Sequence, residues 1–547
     1  MYFVFNATVL ISATLFFHAV LCVIILFMEF YSLAFIIFLA AVMLVNYTIM
    51  KKHQWICLLA ASLAFYFVAG GIHIVFILVT SLSIWLCGLG IERAALKYRA
   101  ARKTPGIDRK QAKQVMQRSK RVFLITGLAV NLGILCYLKY WEALFDTNLG
   151  LVLPLGISFY TFQSISYLID MYDDKYPAEK SYPRFLLFVS WFPQLLQGPI
   201  GRYDALKPQF DAQHSPDREK FGRALLLILF GLMKKYAVAD MLTGDIAVLF
   251  DGGHAAELPG CLVVLGILLY SAQQYCDFSG GIDIVLGISS LLGIELSPNF
   301  RQPYFSVSLA DFWRRWHISL GTWMRDYVFY PFALLKPMHK FSVWASKKFG
   351  THIGRALPAC IANILVFLVV GVWHGPELHY VLWGLYNGIV IALSELLAPC
   401  FASLCSFFHI KTDSRGFHIF RIIRTFIIVN IGWYFDRIYD FRESFACLAH
   451  TFTDFRISYL PEGFANTILN QTNSNPKYTM SALAIAAISL VIVFCVSFMK
   501  EKGIDVYSRF KTSNLVVRFG VLYLMLFLFL GSFMMVQNAG GFMYANF

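Results

Sequence analysis

The chain has 547 residues, of which 58% are hydrophobic, 17% aromatic and only 14% charged, and its mean hydropathy is +0.62. A soluble protein carries about a quarter charged residues, so this composition excludes a soluble enzyme and indicates a polytopic membrane protein. The formal net charge of +14 would suggest nucleic-acid binding in a soluble chain, but in a membrane protein the distribution of the charge decides its meaning.

The first apolar stretch, residues 7–50, is long enough for two membrane helices of about 20 residues each. It has no basic region before it and no clear small-residue cleavage site. We therefore expect a retained membrane helix rather than a removed signal peptide. Further spans are predicted at residues 55–69, 73–91 and 122–140.

A basic stretch sets the predicted orientation. Residues 92–121 hold eleven Lys or Arg against Glu92 and Asp108. A short basic loop between apolar spans is typical of the cytoplasmic side, and Lys51 and Lys52 fall on the same side after two crossings, so we expect a cytoplasmic N-terminus. The stretch lacks the interleaved aromatic residues of single-strand-binding surfaces, so nucleic acid is not an expected partner.

Two segments combine apolar residues with helix-breaking ones. Residues 151–172 contain Pro154 and Gly156, and residues 184–203 end in PQLLQGPIGRY. Irregular backbone at membrane depth is tolerated only where it is buried in protein or lines a wet cavity. Two interpretations are therefore open, the wall of a tunnel and a kinked, fully packed helix pair.

The remaining membrane helices are expected at residues 221–242, 258–296, 358–374, 379–400, 418–436, 479–499 and 514–536. The basic segments 337–355 and 500–511 are expected in the cytoplasm and the polar loop 450–478 outside, which leaves the C-terminal tail on the outer face. The predicted fold class is an all-α polytopic membrane protein with about a dozen transmembrane helices and additional broken or re-entrant ones.

Two features of the apolar runs concern packing. Asp277 and Asp283 lie inside a membrane helix, where a carboxylate is costly unless it is paired or solvated. The eleven cysteines are scattered, with no CxxC or metal-ligand spacing. We expect them to pack as small apolar residues rather than to form disulfides or a metal site.

The densest charge in the chain occurs in residues 299–331, NFRQPYFSVSLADFWRRWHISLGTWMRDYVFYP. Sixteen consecutive residues include Asp311, Arg314, Arg315, His317, Arg325 and Asp326, interleaved with Trp313, Trp316 and Trp323. On one continuous helix Trp313 would lie near His317, and Asp311 would pair with Arg315 four residues later. This pattern fits either a catalytic group at His317 or a buried ion network.

A second histidine, His374, follows the apolar run IANILVFLVVGVW. A desolvated neutral histidine suits a general base that takes a proton from a hydroxyl, while a core histidine bonded to a backbone carbonyl is the alternative. His379 follows Pro376 and Glu377 and is expected at the surface. The chain has no G-x-S-x-G, P-loop, zincin or dinucleotide motif, so hydrolase, ATPase and nucleotide-cofactor activities have no support.

Four motifs together resemble one family. The block QPYFSVSLADFWRRWHISLGTWMRDYVFYP, the later VWHG, and the earlier PLGISFYTFQSISYLIDMY and FPQLLQGPIGRY are similar to membrane-bound O-acyltransferases (MBOAT). The resemblance is to the bacterial branch, which includes alginate and other polysaccharide O-acetyltransferases and the teichoic-acid D-alanyl transferase. It covers about residues 30–440. We therefore expect a family-like transmembrane core at residues 1–440, with an extra N-terminal helix, and a C-terminal extension at residues 441–547. The extension would contain an outer loop, two transmembrane helices and an extracytoplasmic aromatic tail.

The resemblance implies a site and a reaction. His374 would be the catalytic histidine and His317 the second active-site histidine, with Asp311, Trp313, Arg314, Arg315 and Trp316 as scaffold or as guides for the donor's phosphates. Family members arrange their helices around a funnel, with the acyl donor arriving from the cytoplasm and the acceptor from outside. The implied reaction transfers an acyl group, expected to be acetyl, to a hydroxyl of a cell-surface polysaccharide.

The expected donor is acetyl-CoA, and neither a bound cofactor nor a metal is expected. The implied location is a bacterial plasma (inner) membrane, with membrane lipid and a polysaccharide or a secreted acyltransferase as partners. Two other functions are open. One is D-alanyl transfer to teichoic acid from a phosphopantetheinyl carrier protein, and the other is transport of a polysaccharide or lipid.

The C-terminal residues FMYANF are similar to an aromatic F-x-Y-x-x-F ending found in this branch. By that resemblance Tyr544 would accept the acyl group on the outer side and relay it. A plain aromatic anchor at the membrane boundary is the alternative.

Overall fold

The computed structural model describes residues 32–469 and 476–535, and within these ranges the regular structure is helical. Residues 7–31 of the first predicted helix pair and Tyr544 lie outside them. The first helices are α1 Leu33–Leu44, α2 Gln54–Gly70, α3 Ile74–Ala101, α4 Arg109–Phe145, α5 Ile157–Tyr172, α6 Tyr182–Ser190, α7 Phe192–Gln197, α8 Tyr203–Asp211, α9 Arg218–Lys234, α10 Met241–Phe250 and α11 Gly260–Leu291.

The remaining α-helices are α12 Leu309–Arg315, α13 Ile318–Met324, α14 Tyr330–Ala333, α15 Lys336–Phe349, α16 Thr351–His374, α17 Leu378–Leu396, α18 Ala398–Phe407, α19 Arg415–Arg437, α20 Phe441–Thr453, α21 Leu460–Gly463, α22 Pro476–Glu501, α23 Val506–Thr512 and α24 Leu515–Met535. Four π-helical segments accompany them, Val45–Ile49, Lys235–Asp240, Arg325–Phe329 and Phe464–Leu469. Single 3₁₀ turns occur at Gly71–His73, Ala255–Glu257, Pro303–Phe305 and Ile457–Tyr459.

Six helical segments of the described chain are long and apolar enough to cross a membrane, or seven if one bent pair counts as a span. They are Gln54–Ala101, Arg109–Phe145, Gly260–Leu291, Thr351–His374, Lys477–Glu501 and Leu515–Met535, and the pair is Leu378–Leu396 with Ala398–Phe407, bent by 56°. The all-α membrane class is confirmed. The total of about a dozen spans and the division at residue 440 remain predictions.

Two segments predicted as loops contain helix. The basic stretch 92–121 lies mostly in the ends of α3 and α4, so that only residues 102–108 connect them. Most of its residues are good helix formers, and the polar ends of two long helices project beyond their apolar parts. The loop predicted at 450–478 likewise contains the end of α20, a 3₁₀ turn, α21 and a π-helical segment.

The chain forms two compact units. The first comprises residues 32–142, 147–224 and 285–296. Here the two segments predicted to be broken, residues 151–172 and 184–203, contain the helices α5, α6 and α7 and the start of α8. Gly156 has a left-handed conformation (φ 68°) before α5. A side chain at Gly156 would collide with the backbone oxygen of Leu195. Nearly every residue of α5 is buried, which fits the packed interpretation of this segment.

The second unit comprises, within the described ranges, residues 143–146, 225–284, 297–469 and 476–535. Two neighbouring lysines pair with three carboxylates in it, which offsets the cost of placing these charges inside the protein. The Lys235 ammonium lies 2.6 Å from Asp277 and 2.9 Å from Asp240, and Lys234 lies 2.6 Å from Asp283. Of the two arrangements that were expected to offset the cost of Asp277 and Asp283, pairing or solvation, the structure shows pairing. Both lysines lie where α9 continues into its π-helical segment.

Candidate active site

The helical hairpin α16–α17 places His374. The chain turns through residues 375–377, and the two helices approach so closely that a side chain at Gly371 would collide with Tyr380 O and one at Gly384 with Phe367 O. Glycine at both positions lets the two backbones touch. His374 is the last residue of α16 and is buried, with its ring 4.9 Å from the Trp373 ring.

His317 does not continue the helix that precedes it, contrary to the expectation of one helix through Trp313 and His317. Helix α12 ends at Arg315, and His317 lies at the start of α13 with φ 46° and ψ 53°, the left-handed region that non-glycine residues seldom adopt. The bend turns the imidazole inward, where the Phe278 ring meets it edge-on at 4.8 Å. Burial lowers the pKa of His317 to about 3, so the ring is neutral at physiological pH.

The two histidines line one small cavity of about 60 Å³. The other lining residues are apolar or aromatic, namely Trp313, Trp316, Leu320, Gly321, Met324, Val366, Phe367, Val370 and Trp383. The structure thus brings His317 and His374 together although 57 residues separate them in the sequence. Two predicted scaffold residues, Trp313 and Trp316, form part of the same wall.

Asn387 fixes the tryptophans of this wall. The Trp313 indole N–H donates to Asn387 Oδ1 at 2.9 Å, and Asn387 Nδ2 donates to the Trp383 carbonyl at 2.9 Å. The Trp383 ring lies 5.2 Å from His374, and among the described residues its own indole N–H has no hydrogen-bond partner. The wall of the small cavity therefore includes a tryptophan whose N–H donor is not committed.

A second, much larger cavity of about 1580 Å³ adjoins the first and shares Trp313, Gly321, Val366 and Phe367 with it. Six arginines line it, namely Arg301, Arg314, Arg315, Arg325, Arg355 and Arg421, against the acidic residues Asp311 and Glu395. The salt bridges of this wall involve Arg315 and Arg325. Among the described residues no ion pair is formed by the other four arginines, Arg301, Arg314, Arg355 and Arg421. The cavity is thus suited to a large anion.

Asp311 acts as scaffold. Ser308 Oγ accepts the Asp311 N–H at 3.1 Å at the start of α12, and Asp311 Oδ2 accepts the Val307 N–H at 3.2 Å. One turn later Arg315 Nε donates to Asp311 at 3.2 Å, as the four-residue spacing predicted. Arg315 also donates to both carboxylate oxygens of Glu501, at 2.9 and 3.1 Å, which ties the end of α22 to the wall of the large cavity.

One prediction about this region is wrong. His379 was expected at the surface, but it is 1% exposed. Its Nδ1 lies 2.9 Å from the Phe435 carbonyl, and its ring packs against Tyr380 at 3.9 Å. The cause is the tight turn before α17, which directs this side chain towards α19 instead of towards solvent.

Three kinds of site residue could not be identified from the sequence. No local pattern marks Asn299 or Asn387 as a site residue. Each forms its hydrogen bond with a residue distant in the sequence, Asn299 with His317 and Asn387 with Trp313. Trp383 lies in an ordinary apolar run. Arg301, Arg355 and Arg421 are scattered, and only the fold collects them around one cavity.

Known proteins resemble this chain over much of its length. Residues 177–346 match the model of the membrane-bound O-acyltransferase family, and this range includes His317. The probable alginate O-acetylase AlgI of Azotobacter vinelandii is 31% identical over 69% of this chain and 70% of its own length. The chain belongs to the membrane-bound O-acyltransferase family.

Other relatives of this MBOAT protein differ in the polymer that their names specify. The peptidoglycan O-acetyltransferase of Helicobacter pylori is 29% identical over 69% of this chain and 74% of that protein. The teichoic acid D-alanyltransferase of Bacillus subtilis is 29% identical over 52% of this chain and 69% of that protein. The chain spans 57% to 66% of the length of three Pseudomonas proteins named probable alginate O-acetylase AlgI.

Proposed function

We propose that this protein is a membrane O-acyltransferase that moves an acetyl group from a cytoplasmic thioester to a hydroxyl group on a cell-surface polysaccharide or on a relay residue. The observation that carries the proposal is the small cavity lined by both His317 and His374, which shares four lining residues with a large basic cavity. The first is suited to acyl transfer and the second to an anionic donor.

The chemistry uses the two histidines of the small cavity. His374 takes the proton of the attacking hydroxyl, whose oxygen bonds to the thioester carbonyl carbon. Collapse of the tetrahedral intermediate breaks the C–S bond, and the proton passes from His374 to the leaving thiolate. A positioned base contributes about 10²- to 10⁴-fold in rate, and a donor that stabilises the developing oxyanion contributes about 10²- to 10³-fold.

The size of the small cavity favours acetyl. An apolar cavity of about 150 Å³ holds a benzene molecule, whereas this one has about 60 Å³. Its walls are bulky, with Trp313, Trp316, Phe367 and Trp383 on different helices. A two-carbon acyl group fits such a space, and a longer chain would require side chains to move.

The charge of the large cavity favours coenzyme A as the donor. Its phosphates would meet the four arginines that form no ion pair among the described residues, while the pantetheine arm reaches towards the shared wall at Trp313 and Gly321. A carrier protein would bring a single phosphate on its pantetheine arm, for which so many arginines are more than is needed.

The location, the acceptor and the relay are part of the same proposal. The chain would lie in a bacterial plasma membrane with its N-terminus in the cytoplasm, and Tyr544 on the outer side would receive the acetyl group and pass it to the polymer or to a secreted acyltransferase. The aromatic F-x-Y-x-x-F character of the tail supports this relay.

The test is labelling of the purified protein in nanodiscs with isotopically labelled acetyl-CoA, followed by mass spectrometry. His374→Ala should abolish labelling and transfer, and the matched control His379→Ala, a buried histidine that lines neither of the two cavities, should retain them. Label on Tyr544 identifies the relay. If acyl transfer occurs only from a D-alanyl carrier protein, that protein and not acetyl-CoA is the donor. Absence of turnover with either donor would refute the proposal.

A further inference from the structure

Asn299 and His317 form a buried pair beneath the small cavity. Asn299 is 1% exposed and His317 is 4% exposed. Asn299 Nδ2 lies 3.2 Å from His317 Nδ1, and the Ile318 N–H donates to the Asn299 carbonyl at 3.0 Å. One asparagine thus contacts both the ring of His317 and the backbone that follows it.

The orientation of the Asn299 amide is determined by a backbone donor. The Ser319 N–H donates to Asn299 Oδ1 at 2.9 Å, so Oδ1 must be the oxygen. The other amide atom is then the nitrogen, which can only donate. Oδ1 is also the more distant atom from His317 Nδ1, at 3.4 Å.

This arrangement determines which ring nitrogen carries the proton. Because Asn299 Nδ2 donates to Nδ1, Nδ1 must present its lone pair, and in a neutral imidazole the proton is then on Nε2. His317 in this tautomer is a hydrogen-bond donor through Nε2. It has no second lone pair with which to accept the proton of a hydroxyl.

We propose that Asn299 is a positioning residue that locks His317 as the Nε2–H tautomer, so that His317 donates a hydrogen bond to the oxyanion formed on the thioester carbonyl. This inference rests on the proposed acyl transfer. The hydroxyl proton goes to His374 and later to the thiolate, the carbonyl electrons move to oxygen and back, and His317 gains and loses no proton.

The division of roles predicts an asymmetry between two matched substitutions. A glutamine side chain can donate a hydrogen bond but cannot act as a base at neutral pH. His317→Gln should therefore retain kcat within about tenfold of wild type, while His374→Gln should lose about 10³-fold or more, in line with loss of the base. Equal and near-complete loss in both variants, with donor binding intact, would overturn the inference.

A second variant tests Asn299 itself. In Asn299→Asp the carboxylate still accepts the Ser319 N–H but now accepts from the ring as well, so that the neutral ring carries its proton on Nδ1 and loses the Nε2 donor. We expect kcat for acetyl transfer to fall about 10²- to 10³-fold, the cost of losing one oxyanion donor. KM for acetyl-CoA should stay within about threefold, because that donor acts only in the transition state.

Two controls separate this result from misfolding. Asn430→Asp introduces a carboxylate at another buried asparagine of the same unit, one that does not line the small cavity, and should keep wild-type kcat. Selective ¹⁵N-histidine labelling should show the protonated nitrogen of His317 at Nε2 in the wild type and at Nδ1 in Asn299→Asp, with His317→Gln identifying the signal.

The outcomes are distinct. Wild-type kcat in a folded Asn299→Asp, or a wild-type His317 protonated on Nδ1, would refute the positioning role while leaving acyl transfer intact. If wild-type protein itself does not transfer acetyl, the proposed function fails first. If Asn299→Asp does not fold, the comparison of His317→Gln with His374→Gln decides.

Discussion

Enlarging the small cavity should change which acyl group the protein transfers. Leu320 on α13 lines that cavity and is 5% exposed. Leu320→Ala removes three carbons from the wall, about as many as separate an acetyl group from a pentanoyl group. Each methylene of the substrate that fills the new space contributes about 0.8 kcal/mol, so the two extra methylenes of a butyryl group would gain about 1.6 kcal/mol, or roughly 15-fold in kcat/KM.

The assay compares kcat/KM for acetyl-CoA and butyryl-CoA in the same nanodisc preparation. We expect the wild type to discriminate against butyryl-CoA by about 10²-fold or more, since pockets discriminate by about 10- to 200-fold per methylene. Leu320→Ala should narrow that ratio by about 15-fold. The control Leu393→Ala removes the same atoms from an exposed position on α17 (49% exposed) and should leave the ratio unchanged.

Two results would refute this reasoning. One is a wild type that accepts butyryl-CoA as readily as acetyl-CoA, because the cavity would then not limit the acyl group. The other is a folded Leu320→Ala that retains the wild-type ratio. A loss of thermal stability would not decide the question, since a buried Leu→Ala change costs about 2 to 5 kcal/mol in any case.

Three further predictions concern charge. Arg355→Gln should raise KM for acetyl-CoA about tenfold with little change in kcat, since a hydrogen bond to a charged group contributes about 1.5–3 kcal/mol. KM for acetyl-CoA in the wild type should also rise with salt concentration, and a KM that does not change with salt would contradict the proposed donor site. Glu501→Gln should lower KM for acetyl-CoA, because Arg315 would lose a compensating carboxylate; a higher KM would show that Glu501 instead holds Arg315 in a productive position. Lys235→Met should destabilise the protein by about 3–5 kcal/mol because Asp277 would lose its ion-pair partner, and unfolding followed by tryptophan fluorescence should show the lower midpoint.

Features that depend on local sequence were predictable. The apolar run ending in VWHG located His374 at the end of a membrane helix, and the four-residue spacing gave the Asp311–Arg315 pair. The cost of a carboxylate inside a membrane helix indicated that Asp277 and Asp283 are paired or solvated, and both form ion pairs. Each of these features depends on the periodicity of a single helix or on the cost of burying a charge in it, and both can be judged from the local sequence.

Features that depend on contacts between distant segments were not predictable. Periodicity alone favours a continuous helix through WRRWHISL, but hydrogen bonds from Ile318 and Ser319 to Asn299 accompany its break at His317. The burial of His379 depends on α19, which no local pattern connects with the turn before α17. The arginines of the large cavity come from several helices, so no motif contains them.

The left-handed backbone of His317 has a consequence for laboratory evolution. A non-glycine residue in that conformation costs about 1–2 kcal/mol, and glycine adopts it without that penalty. A library selected only for heat resistance should therefore accumulate glycine at position 317, and those clones should lose acetyl transfer. Thermal stability and acetyl transfer thus favour different residues at position 317. A selection for more stable variants of this protein therefore needs acetyl-transfer activity as a second criterion.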